Sequence, residues 1–202
     1  LSKLYDANPS DANNIRGMLF IARAKSDQAN ILKYSNELVK LDKSLDNQIV
    51  QIESLLEIGL SDEAKKKLDS LTEQYPDDAR LAFLNAWLAA KQGKMADALK
   101  LANRNLELDP ANPRVWRLRG QINNAMNNFT DAISDFQKSK ALADNAEVRI
   151  DLARAYSRTG ATEQAISELT IAANDQGSLV ARNMLEELYY ATGNTERINK
   201  FY

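Results

Sequence analysis

The chain has 202 residues, 44% hydrophobic and 27% charged, which is material for a folded core and not the composition of a disordered segment. A net charge of −2 gives no global basic footprint for nucleic acid, and no stretch approaches the roughly 18 to 20 apolar residues that span a bilayer. With neither Cys nor His, disulfides, thiol and imidazole chemistry and most zinc sites are excluded.

In chain order, LSKLYDANPS reads as the end of a helix and its turn, and residues 11–44 hold helical sequence with a register open by one residue. A period then emerges. Gly59 recurs as Gly93 at a spacing of 34, Asn127 takes the next place, and Gly160 and Gly193 follow, each 33 later. Ala64, Ala98 and Ala132 recur at 34, and Ala165 follows after 33. A residue that tolerates positive φ ends one helix, and a small residue early in the next lets the two pack closely. Leu68, Leu71 and Tyr75 follow Ala64 on one helical face, and Leu152, Ala153 and Tyr156, then Leu169 and Ala172, repeat the spacing. Ser61, followed by Asp62 and Glu63, reads as a helix cap with acids in the first turn.

Pro76 and Pro110 share the same period. Pro110 ends a helix, because proline lacks an N–H and disfavours helix for the residue before it. Pro113 sits where the next helix starts, where a missing N–H is harmless. Each unit is thus a helix of about 13 residues, a turn, a second helix and a Pro- or Asp-marked turn, and such pairs bury their apolar faces only by stacking on neighbours.

These residues resemble the tetratricopeptide repeat. Units run at about 11–44, 45–78, 79–112, 113–145 and 146–178, with a partial unit at 179–202. Trp116, Gly120, Phe129, Ala132 and Phe136 match the family pattern in one unit; Ala86, Gly93, Ala98 and Pro110 match in another. Leu152, Ala153, Tyr156, Gly160, Ala165 and Ala172 match in a third, and Leu55, Gly59, Ala64 and Pro76 in a fourth. The last unit keeps Leu185, Tyr189, Gly193 and Tyr202. Ala82 and Gln48 depart from it where a large residue is usual, as do Asn85, Gln51 and Arg119 where Leu is usual. The resemblance implies an all-α, right-handed superhelical α-solenoid of antiparallel helix pairs. It also implies that 1–202 is a single solenoid, read here as a piece of a longer array. Trp116 falls in a core position of the pattern.

The first helices of the family line a concave groove. Carried over residue by residue, that groove holds Arg80, Phe83, Leu84 and Trp87, then Arg114, Arg117, Leu118, Gln121 and Asn124, then Asp151, Arg154 and Arg158. Asp46, Glu53 and Glu57 supply an acidic side. The bland alternative is that Phe83, Leu84 and Trp87 pack among helices. Chaperone-binding members clamp a peptide's C-terminal carboxylate with a Lys and an Asn one turn apart; no unit here has that pair. Arg117 and Gln121 are a loose analogy, so that ligand is not expected.

No G-x-S-x-G, P-loop or dinucleotide fingerprint is present, and the carboxylates lie on periodic helices. The expected function is a non-catalytic scaffold that binds a partner protein or peptide in its groove, with no cofactor, metal, nucleic acid or membrane span. The alternative is a bacterial cell-envelope lipoprotein or periplasmic segment that supports polysaccharide export, outer-membrane assembly or secretion. The compartment, cytoplasmic or envelope, is not fixed by composition.

Overall fold

A computed structural model describes residue 5 and residues 8–193. The expected helix end before residue 8, Tyr5 apart, and the Tyr202 position lie outside these residues. Eleven α-helices and no strand are found among the described residues. The chain divides into two compact units, Leu1–Gly93 and Lys94–Tyr202.

The first unit holds α1 (Ala12–Ala24), α2 (Gln28–Leu41), α3 (Leu45–Glu57), α4 (Ser61–Gln74) and α5 (Ala79–Lys91). Asp11, Asp27 and Asp78 cap α1, α2 and α5, each accepting a backbone N–H from the first turn. Ile15, Leu19, Ala22, Ile31, Tyr34 and Leu38 form one buried cluster. Ile49, Ile52, Leu56, Leu68, Leu81 and Leu84 belong to a second.

The structure fixes the open register. Helix α1 begins one repeat before α3, at Ala12, and Ser26 stands one repeat before Gly59. Ser26 adopts φ 53°, so it takes the left-handed turn position that glycine fills later in the chain. Two local readings are corrected. Ser61 is the first helical residue and makes no capping bond; Leu60 holds the cap position. Tyr75 does not share the buried face of Leu68 and Leu71: it terminates α4 and is 44% exposed.

The second unit holds α6 (Met95–Leu108), α7 (Pro113–Ala125), α8 (Phe129–Leu142), α9 (Ala146–Arg158), α10 (Thr162–Asn174) and α11 (Leu179–Ala191). Pro113 opens α7 as the sequence predicts, with the Asn112 side chain accepting the Arg114 N–H. Asn127 takes φ 63°, in the place of the recurring glycine. At Gly120 the absence of a side chain is essential, because a Cβ there would lie 2.6 Å from the buried Phe136 ring. Val148, Leu152 and Ala155 pack with Ala132 and Phe136, and Ala153, Ala165, Leu169, Ala172, Leu185 and Tyr189 build the next layer.

Trp116 departs from its expected core role. It is half-buried, while its neighbour Val115 is fully buried. The indole N–H donates to the Pro110 carbonyl at 2.8 Å. The ring carries two cations, with Arg119 Cζ at 4.5 Å and Lys138 Nζ at 4.3 Å from its centroid. Trp116 therefore pins the inter-repeat turn that holds Pro110.

Candidate functional site

The first helix of each pair presents one stripe of side chains at helical spacing, and within each unit these stripes meet their neighbours by hydrogen bonds about one repeat apart. In the first unit Arg16 Nη2 donates to Asn47 Oδ1 at 2.8 Å. Arg23 reaches Glu57 at 2.9 Å and Ser54 at 3.2 Å. Both join α1 to α3. Arg80 on α5 pairs with Asp46 on α3 at 2.6 Å and with its own cap, Asp78, at 2.7 Å. The Asp78 hydrogen bond, followed by that of Asp46, holds the Arg80 guanidinium above its ordinary pKa. In return the Arg80 hydrogen bond holds the Asp78 carboxyl below the ordinary carboxylate value.

Phe20 sits on the α1 stripe between Arg16 and Arg23, one turn from each, and is 71% exposed. On α5, Phe83 and Trp87 are half-buried, with ring centroids 6.2 Å apart, and Lys91 lies 6.0 Å from the Trp87 ring. Leu84 is corrected: it is 1% exposed inside the core cluster and offers nothing to a ligand.

In the second unit the stripe of α7 meets that of α9. Arg117 Nε donates to Asp151 at 2.7 Å, and Nη1 of the same fork binds Glu147. Gln121 adds a second donor to Asp151 at 2.9 Å. Burial lowers the proton affinity of Arg117, but Asp151 and Glu147 outweigh it and hold the guanidinium above its ordinary value. The pair that loosely resembled a carboxylate clamp is therefore filled by the chain's own carboxylates. Leu118 is buried. Arg114 is exposed at the start of α7. Arg154 and Arg158 continue the α9 stripe beyond Asp151, one turn apart; both are exposed, and neither has an ion pair among the described residues.

A different set of polar groups pins the remaining helices of this unit. Arg119 forks onto Asp135 at 3.0 and 2.5 Å; Asn123 donates to Asp135 at 3.0 Å, and Asn103 accepts from Arg119 at 2.8 Å. Glu168 takes Lys140 and Arg149 at 2.5 Å each, and Arg149 also forks onto Asp144. The pocket of about 250 Å³ beside Arg119 and Asp135 is small, and four of its lining residues, Asn103, Arg119, Asn123 and Asp135, are already bonded to one another. Among the described residues no three His, Cys, Asp or Glu side chains form a metal cluster, and no helix is long and apolar enough to cross a membrane.

Helix pairs that recur once per period along the chain define a helical-repeat protein. Two models of the tetratricopeptide repeat match the sequence, one over residues 50–113 and 86–147 and the other over 124–188. The chain belongs to the tetratricopeptide repeat family. No curated protein matches it. Among solved structures, TTC0263, a thermophilic TPR protein of Thermus thermophilus, is similar at 16% identity and TM-score 0.78, over 89% of this chain and all of that one. A chain of the APC/C hetero-tetramer Cut9–Hcn1 is similar at 16% identity and TM-score 0.74, over 84% of this chain and 33% of that chain. YrrB, described as a TPR protein with an unusual peptide-binding site, is similar at 15% identity and TM-score 0.58, over 92% of this chain and 97% of that one. At such identities the likeness establishes the fold. It is the fold of a protein-interaction scaffold, and proteins of this family are generally non-catalytic.

Proposed function

We propose that the chain is a non-catalytic scaffold, and that the α7–α9 face of its second unit takes an acidic segment of a protein or peptide partner. The observation that supports this is the contrast among the groove arginines. Arg80 and Arg117 already hold carboxylates of the chain itself. Arg154 and Arg158 stand exposed, one turn apart, without such a partner among the described residues. A guanidinium presents a planar fork matched to a carboxylate and is weakly hydrated, so two of them on one stripe favour Asp or Glu side chains of an incoming chain. Arg114 and Gln121 flank the same face. Of the acidic side expected from Asp46, Glu53 and Glu57, Asp46 and Glu57 are paired with Arg80 and Arg23, so partner charge is read in the second unit.

The test is fluorescence anisotropy with a labelled Glu-rich decapeptide carrying one Leu, titrated with the full chain. Wild type binds with an affinity that falls steeply with salt, and Arg154→Glu/Arg158→Glu binds about tenfold more weakly, mainly through a slower on-rate. Equal binding by the double variant would dismiss this reading.

A further inference from the structure

We infer that the crevice of about 250 Å³ between α6, α7 and α8 is a binding site for a guanidinium group on an unbranched alkyl stem, either an arginine side chain of another protein or a small free guanidine. This site is independent of the α7–α9 face. Arg119 and Asn123 leave α7 two residues after Arg117 and Gln121, about 200° round the helix, so the crevice opens on the opposite side of α7.

The floor of the crevice is fixed and its charges cancel. The Arg119 fork lies on Asp135, its Nη1 donates to Asn103 at 2.8 Å, and its Cζ stands 4.5 Å from the centroid of the Trp116 ring. Asn123 donates a further bond to Asp135. A guanidinium and a carboxylate locked together in this way form a rigid, neutral surface that stays in place when a ligand enters. Lys138, one turn on from Ser134, turns its ammonium onto the Trp116 ring at 4.3 Å and is not among the lining residues.

The wall above that floor is unengaged. Asp131 and Ser134 lie three residues apart on one face of α8, and both are exposed. Neither side chain has a hydrogen bond or an ion pair among the described residues. Arg119 and Asp135 cancel, so the Asp131 carboxylate is the one uncompensated charge of the lining. An anionic ligand would meet that carboxylate and find Arg119 already taken, whereas a cation completes it. A guanidinium suits the wall better than an ammonium. Its planar fork takes a carboxylate through two parallel N–H bonds, and its other N–H groups reach the Ser134 hydroxyl, whose Cβ stands about 5–6 Å from that of Asp131. Leu99 of α6, half-buried, gives the apolar side against which an alkyl stem lies.

The experiment titrates the full chain, followed by ¹⁵N NMR, separately with butylguanidinium, with N-acetylarginine methylamide and with butylurea, the uncharged isostere. The expected result is saturable shifts at the backbone amides of Asn103, Asp131 and Ser134 with the guanidinium probes, at an affinity on the order of millimolar, and none with butylurea. Saturation by both guanidinium probes supports a protein side chain as the guest; saturation by butylguanidinium alone supports a small free guanidine. Asp131→Asn, checked by a thermal melt, weakens binding about tenfold and Ser134→Ala about threefold, while Arg154→Glu leaves it unchanged. Shifts that rise without saturating, equal binding of butylurea, or an unchanged affinity in Asp131→Asn would overturn the site, and none of these results bears on the Glu-rich peptide at Arg154 and Arg158.

Discussion

The two units use the same helix pairs but handle charge differently. In the first, the inter-helix pairs are surface links: Arg80 and Asp46 remain 50% and 71% exposed, and Arg23 and Glu57 about a third. In the second, carboxylates are drawn into the stack: Asp135 is 3% exposed, Asp151 10% and Glu168 11%. A buried carboxylate is tolerable only when its partners are complete, so the second unit is specified by polar pins as well as by apolar layers. The first unit buries neutral polar groups instead: Asn47, 2% exposed, donates to the Leu38 and Asp42 carbonyls between layers rich in leucine and isoleucine. The first-helix faces differ in the opposite sense: the first unit closes its arginines and shows aromatics, and the second leaves Arg154 and Arg158 open.

The largest expected effects test the interiors. Asp135→Ala takes the carboxylate from Arg119, which keeps Asn103, and from Asn123, and costs roughly 3 kcal/mol in denaturant unfolding, the low end for a buried pair because Arg119 keeps some water. Its counterpart in the first unit, Asp46→Ala, costs under about 1 kcal/mol, since both partners are solvated. Equal losses would erase the contrast. Leu84→Ala opens a cavity in the leucine cluster and costs about 2–4 kcal/mol, which separates it from the groove residues on its own helix. Trp116→Ala costs about 1–2 kcal/mol, less than a core tryptophan, because the ring is half-buried and covers a turn. A loss above about 3 kcal/mol would return it to the core.

The smallest effect concerns acid. The Arg80 hydrogen bond depresses the Asp78 carboxyl in the fold. A depressed carboxyl stabilises the fold above its unfolded pKa of about 4, and the contribution disappears as pH falls through the lower folded value. Asp78→Asn keeps the capping oxygen but removes this titration, so its stability falls less steeply below about pH 4, by roughly a few tenths of a kcal/mol. An unchanged acid limb would show that the Arg80 link and the capping N–H bonds together contribute nothing to the titration.

Much of the fold was legible because its punctuation is chemical. Gly59, Gly93, Asn127 and Gly160 mark left-handed turns where only residues that tolerate positive φ are usual, and Pro110 and Pro113 bracket a turn that proline favours. Ser26 was missed because serine carries no such signal, and with it the register that places Phe20. Leu84 and Trp116 were misplaced for a common reason. Family spacing gives the face of a helix, but how deep a side chain lies depends on what packs over it: Val115 is fully buried while Trp116 beside it is half-buried. The groove arginines were legible as a set. Their division into paired and open was not: Arg80 has a local partner in Asp78, but its link to Asp46 and those of Arg117 to Glu147 and Asp151 depend on carboxylates about one repeat away, which no local pattern displays.

That division is tested most directly by following the arginine Nε–Hε resonances of the full chain in ¹⁵N NMR, assigned with Arg→Lys variants, as a Glu-rich peptide is added. The Arg154 and Arg158 signals are expected to shift and saturate while those of Arg80 and Arg117, already held by Asp46 and Asp151, stay in place. Shifts at Arg117 with none at Arg154 would contradict it.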